Sequence, residues 1–230
     1  MATFPTNNTM FRGGVDSRAL FITRTYNHVV GGILAFVLIE LALFESGLAE
    51  QVARFMFGLP WLAIMGAFIL VSWLATHTAQ SSASTGMQYF AYGAFVTAEA
   101  FIFVPLLYLA NMKAPGAIDS ATLITLLGAG GLVLIAHRTK KNFSFLRAIL
   151  MWGGIVALLA IVGGTVFGLN LGTWFSVAMI GFAGAAVLYD TSNIIHNYPE
   201  DRYVAAAMQL FASIAMMFWY VLRLVIGSRR

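Results

Sequence analysis

The sequence predicts an all-α integral membrane protein, a bundle of seven transmembrane helices, and three observations carry that prediction. Of the 230 residues, 60% are hydrophobic and only 10% are charged, against roughly 25% charged in an ordinary soluble domain. Apolar stretches near the ~20 residues needed to cross a bilayer core recur seven times. The connections between them are short, and Lys and Arg gather beside them. A soluble domain of this size has nowhere to hide so much apolar surface. A bilayer accommodates it, because lipid tails are themselves apolar.

The elements follow in chain order. Residues 1–25 are polar and carry Arg12, Arg18 and Arg24. They read as a cytoplasmic N-terminal tail, and they lack the apolar core and small-residue cleavage site of a removable signal peptide. The first span is expected at 26–44, the second at 58–75 and the third at 86–110, the last holding Glu99 and Pro105. The fourth, 117–136, is rich in small residues (Gly128, Gly130, Gly131) and is followed by Arg138, Lys140 and Lys141. The fifth, 145–167, holds Gly153, Gly154, Gly163 and Gly164. The sixth, 171–189, holds Gly181 and Ala185 and continues toward Ile195. The seventh, 204–226, precedes a short basic tail, 227–230. Residues 26–226 thus form one membrane domain. Small residues inside spans let helix backbones approach, since packing must replace the missing hydrophobic drive in lipid.

Orientation follows the Lys/Arg bias. The tail and every second loop hold eight basic residues: Arg12, Arg18, Arg24, Arg138, Lys140, Lys141, Arg147 and Arg202. The opposite side holds five: Arg54, Lys113, Arg223, Arg229 and Arg230. This predicts a cytoplasmic N-terminus and, with seven spans, an outside C-terminus. The terminal Arg pair argues the other way, and a seventh segment that fails to cross is the alternative.

Three carboxylates lie within apolar runs: Glu40, Glu99 and Asp190. Each charge at the bilayer centre costs at least about 2.5–3.5 kcal/mol, so each acid must find a partner, face the interior or hold a proton. Asp190, Asn193 and Asn197 fall on one helical face, with small Ala186 before them. The plainer alternative there is an interfacial helix end with polar caps. Glu99 sits six residues before Pro105, which removes a backbone donor and can open a polar pocket beside the acid. Its alternative is a lone protonated acid. Glu40, nearer a span end, is expected to snorkel or lie at the interface. On the seventh span, Gln209, Ser213, Met216, Tyr220 and Arg223 share one face. Arg223 either answers a buried carboxylate or snorkels to the headgroups.

Enzyme signatures are not found. Cysteine is absent, which excludes disulfides, thiolate metal sites and cysteine nucleophiles. His28, His77, His137 and His196 lack zinc-helix spacing. The Thr165-x-x-Gly168 stretch is no phosphate loop, and the glycine pairs lack a preceding strand. Residues 81–85 form a polar loop rather than a nucleophile elbow. Catalytic residues, cofactors and metal sites are therefore all expected to be absent. The basic clusters fit juxtamembrane anchoring rather than nucleic-acid binding.

The stretch Tyr189-Asp190-Thr191-Ser192-Asn193-Ile194-Ile195-His196 resembles the signature of the Bax inhibitor-1 (transmembrane Bax inhibitor motif) family, most of all its bacterial YccA-type branch. Asn142-Phe143-Ser144-Phe145-Leu146, after the basic loop, is similar to that family's helix start. Phe103-Val104-Pro105 and Val221-Leu222-Arg223-Leu224 resemble its third and last spans. The resemblance covers about residues 18–226. It implies a bundle with the C-terminal helix central and six around it, in the bacterial inner membrane. In some bacterial members it also implies a pair of aspartates on the sixth and seventh helices that forms a proton-sensitive latch for slow calcium leakage. Asp190 matches the first aspartate. The second position falls on Ser213, which cannot titrate, so the pair as such is missing.

For this branch the resemblance implies a non-catalytic modulator of the FtsH membrane protease, with the N-terminal tail as the segment the protease recognises. The alternative is a proton-sensitive calcium or cation leak using Asp190, Glu99, Ser213, Arg223 and Asn193, with Glu99 standing in for the second carboxylate. A small-molecule transporter is a third alternative, without a visible inverted repeat or pair of broken helices to support it.

Overall fold

The computed structural model describes residues 8–82, 84–168 and 171–229, with side chains from residue 17 onward. Its elements, in order, are α1 (Asn8–Glu45), α2 (Leu48–Phe57), α3 (Trp61–Ser81), α4 (Thr85–Lys113), α5 (Ala117–Thr139), α6 (Leu146–Phe167), α7 (Gly172–His196) and α8 (Tyr203–Ser228). There is no strand among the described residues. Seven helices are long and apolar enough to cross a membrane, counting α1 from Ser17 and leaving out α2.

Each expected span falls on one of these seven helices. The differences lie at the ends. The first helix begins at Asn8 rather than near residue 26, so much of the expected tail is helical, and residues 1–7 lie outside the described residues. The second span begins at Trp61, because Pro60 forces Leu59 out of the helical region. Upstream of it lies α2, which the sequence left as a connection. With 10 residues it is too short to span. It packs Ala49 and Ala53 inward, beside Val104 and Tyr108 of α4, and leaves Leu48, Phe55 and Phe57 exposed.

Short connections between long helices dictate antiparallel neighbours. The helix α8 packs against α7, α1, α5, α4 and α3, whereas α6 touches only α7 and α3 among the described residues. The core is built on α4 and α8. Phe103 meets Phe36 at 5.1 Å, Phe218 at 5.7 Å and Trp219 at 5.0 Å between ring centres. A run of buried alanines, Ala205 to Ala207, lets α8 sit close to its neighbours. At the far end, Arg229 donates to the carbonyl of Pro115 and to the Ser120 hydroxyl. The end of α8 therefore lies with the α4–α5 turn, opposite the 197–202 connection, so α8 runs the full depth of the bundle.

Only some of the small residues are explained by close approach. A Cβ added to Gly153 would lie 2.8 Å from the Phe182 ring, and one added to Gly184 3.2 Å from Leu132. Gly130, Gly131 and Gly181 face open space. The tightest site is Gly32 on α1, where a Cβ would collide with the Tyr92 hydroxyl that donates to the His28 carbonyl at 3.0 Å. Replacing Gly32 by Ala therefore displaces a buried ring and its hydrogen bond, and should destabilise by about 1–3 kcal/mol. Gly130→Ala should be neutral or stabilising by up to about 1 kcal/mol. Thermal unfolding of both variants in lipid discs checks the contrast.

Candidate functional site

The six-residue connection 197–202 makes α7 and α8 an antiparallel pair, so residues late in α7 meet residues early in α8. Asp190, 4% exposed, lies less than two turns from the end of α7. Its two oxygens are both taken by α8. The Gln209 amide donates to Oδ1 at 2.8 Å, and the Ser213 hydroxyl donates to Oδ2 at 2.5 Å. Gln209 and Ser213 are four residues apart, one turn of a helix, which is the spacing that lets both reach one carboxylate. The relay continues outward, where the Tyr198 hydroxyl donates to the Gln209 carbonyl oxygen at 3.2 Å. Burial pushes the Tyr198 phenol up to about 12, so it stays a donor at neutral pH. Tyr198, Gln209 and Ser213 thus all point donors along one path toward Asp190.

The end of α7 is held by α1. The Arg18 guanidinium donates to the carbonyls of Ile194 (2.6 Å), Ile195 (3.1 Å) and Tyr198 (2.5 Å). The last carbonyls of any helix lack intrahelical partners, and a cation there also suits the helix dipole. Arg18 further lies 4.8 Å from the Phe21 ring centre, and Phe21 stacks with Tyr198. On the other flank, Ser192 receives the Phe143 amide at 2.9 Å and donates to the Lys141 carbonyl. This ties the basic α5–α6 loop to the same turn of α7.

On the opposite face of Gln209 and Ser213 lies a cavity of about 790 Å³ walled by α3, α4, α6 and α8. All five residues of the α8 stripe line it: Gln209, Ser213, Met216, Tyr220 and Arg223. Glu99 enters from α4, and Ser72 and Thr76 from α3. Glu99 is 7% exposed. Among the described residues no hydrogen-bond donor or cation reaches its carboxyl, and the two ion pairs are Arg54–Glu50 and Arg202–Asp201, both away from this cavity.

The structure thus brings Asp190 directly onto Ser213, and puts Glu99 and Arg223 in the cavity that Ser213 borders. It does not join Glu99 or Arg223 to Asp190. Asn193 is half-buried and serves through its carbonyl, which accepts the amides of Asn197 and Tyr198. Asn197 falls beyond the helix end, so the expected polar face of three residues does not converge. Glu40 departs from the interfacial expectation: it is buried, with neither carboxyl oxygen hydrogen-bonded. It borders a smaller cavity of about 480 Å³ between α1, α4, α5 and α8. Among the described residues no three His, Asp or Glu side chains come together to hold a metal ion.

The family model for the inhibitor of apoptosis-promoting Bax1 matches residues 18–230. The chain belongs to the Bax inhibitor-1 family. Among the curated relatives it matches, an uncharacterized protein of Pseudomonas aeruginosa is 33% identical over 121 residues, 51% of this chain and 53% of that protein. The modulator of FtsH protease YccA of Escherichia coli is 36% identical over 81 residues, 35% of this chain and 36% of its own length. An uncharacterized membrane protein of Vibrio cholerae is 29% identical over 123 residues, 51% of this chain and 53% of that protein. The matches thus span about half, or less, of each relative. The family match begins at Arg18, the residue that caps α7 in this Bax inhibitor-1 chain.

Two of the residues that build the site, Arg18 and Tyr198, were not singled out by the sequence. Arg18 stands far from α7 in the chain, and only its position in the fold reveals what it caps. Replacing it by Met keeps the aliphatic stem over Phe21 and removes three charge-assisted bonds. Arg18→Met should loosen the α7–α8 connection by about 1.5–3 kcal/mol, read as faster amide exchange across residues 197–202 with the middle of α8 unchanged.

Proposed function

We propose that this chain is a non-catalytic regulatory protein of the bacterial inner membrane, with a cytoplasmic N-terminus, that modulates an FtsH-type membrane protease. The observation that carries this reading is the 36% identity to a protein named as a modulator of that protease. The polar, basic N-terminal segment supports it as the contact region. We read α8 as the central helix of the bundle, on the strength of its packing against five other helices. On that reading the Arg18 clamp, at the start of the first span, would fix the base of the contact segment against the α7–α8 connection.

Removing residues 1–16 leaves the span from Ser17 and the clamp in place. The truncated protein should lose co-purification with the protease and its effect on proteolytic turnover, while retaining its thermal stability. Unchanged binding and unchanged turnover would falsify the reading.

A specific observation favours a second activity of the same bundle, a proton-sensitive cation leak. The polar residues Glu99, Gln209 and Ser213 line one cavity, and Asp190 is hydrogen-bonded to two of them, Gln209 and Ser213. A carboxylate whose supports among the described residues are two neutral donors can exchange a proton without breaking an ion pair. Calcium flux into liposomes carrying the wild-type protein should change with pH, and Asp190→Asn should flatten that pH dependence. A pH profile unaltered by Asp190→Asn contradicts this mechanism.

A further inference from the structure

The larger cavity has a ligand chemistry that neither functional reading uses. Its volume, about 790 Å³, falls within the range of small-molecule sites, roughly 300–1,000 Å³. Its walls carry six aromatic rings: Trp61, Phe68, Phe95, Phe103, Trp219 and Tyr220. Trp219 stacks on Trp61 at 6.0 Å and meets Phe103 edge to face at 5.0 Å, and Phe68 lies tilted against Phe95 at 6.4 Å. Into this lining projects one acid, Glu99, which is more than nine-tenths buried. Arg223 borders the same cavity but is exposed. It lies near the other end of the bundle, more than two helical turns beyond the level of Ser213 on α8.

We propose that this cavity binds a lipophilic organic cation, an alkyl- or arylalkyl-ammonium, with its nitrogen at Glu99 and its apolar body among the aromatic rings. The chemistry selects this class over others. A lipid chain or a neutral ligand without a donor would fill the apolar walls and leave the carboxyl unanswered, at the cost of a buried polar group without a partner, and a neutral donor such as an alcohol would give it one uncharged hydrogen bond and no counter-charge. An anion would be repelled by Glu99. A small hydrated metal ion would gain nothing from the rings. An ammonium satisfies both, since aromatic faces attract cations by about 0.5–2 kcal/mol each and the carboxylate supplies the counter-charge. Entry is from the lipid phase. The helix α6 touches α3 only lightly and does not touch α4 or α8, which leaves a lateral seam on the wall of the cavity. The proposal rests on the cavity alone and survives the failure of either functional reading, because its test measures binding directly.

The protein carries its own reporters. Of the five tryptophans, Trp61 and Trp219 line the cavity, whereas Trp73, Trp152 and Trp174 face outward. A full-length chain with those three changed to Phe, held in phosphatidylcholine discs, reports on the cavity by fluorescence, with empty discs as the blank. The probes are 4-phenylbutylammonium, 4-phenylbutanol and 4-phenylbutanoate, matched in size and differing in charge. The ammonium should quench saturably and bind about tenfold or more tighter than the alcohol, with the carboxylate weakest. Glu99→Gln should erase that preference and leave the alcohol unchanged. Ala212→Phe, which fills the cavity, should abolish the signal for all three probes. Equal binding of ammonium and alcohol, an ammonium affinity unmoved by Glu99→Gln, or a signal that persists in Ala212→Phe would each overturn the proposal. Should Glu99→Gln fail to fold, the ratio of ammonium to alcohol affinity in the unsubstituted cavity decides it.

Discussion

Two side chains of α8 hold both oxygens of Asp190, and the near end of the bundle is arranged around that contact. A carboxyl group inside a bilayer has no water to solvate it, so protein donors must do so. Gln209 and Ser213 meet that need because they lie one turn apart on a helix antiparallel to α7. Once α7 is committed to α8 in this register, its last carbonyls fall where Arg18 of α1 can cap them, and its Ser192 falls where the basic α5–α6 loop can be tied. Four elements are thereby fixed by polar bonds at one end of the bundle. In lipid this matters more than in water, since apolar burial gives helices no preference for one another over the surrounding tails.

The three buried acids have three different environments, and that difference organises the reading of function. Asp190 is fully answered by neutral donors. Glu99 opens onto a large aromatic cavity, with no hydrogen bond to its carboxyl among the described residues. Glu40 is closed off with both oxygens unpaired, beside a smaller apolar cavity. An acid with its hydrogen bonds made is a structural or switching element; an acid facing an aromatic cavity without a partner is suited to a cationic ligand. The fold separates these roles by a single layer, the α8 stripe from Gln209 to Arg223, which borders the cavity on one side and supports Asp190 on the other.

Much of this was legible in the chain, for physical reasons that also mark where legibility ended. Spanning a bilayer needs length and apolarity alone, so all seven membrane helices could be read directly. The helix α2 was not, because ten residues with inward alanines carry no such signal. The α8 stripe was visible from helical spacing, and all five of its residues border one cavity. Asp190 stood out because an acid in an apolar run is costly wherever it faces. Which way an acid faces is a tertiary property, and so Glu40 was misjudged as interfacial and Asn193 was grouped with Asp190 although it does not reach it. Arg18 and Tyr198 were beyond reach for the same reason, since their partners lie across the fold. Pairing Asp190 with Ser213 came from the family resemblance together with the stripe, not from spacing alone.

The measurement closest to the central claim is a double-mutant cycle between Asp190→Ala and Ser213→Ala, read as unfolding free energy in lipid discs. If α8 holds the carboxylate as described, the two effects should be coupled by about 0.5–3 kcal/mol, the range for residues in direct contact. Additivity within about 0.3–0.5 kcal/mol, the behaviour of distant and independent sites, would mean that the two side chains do not meet in the membrane, and the arrangement built on that contact would be wrong.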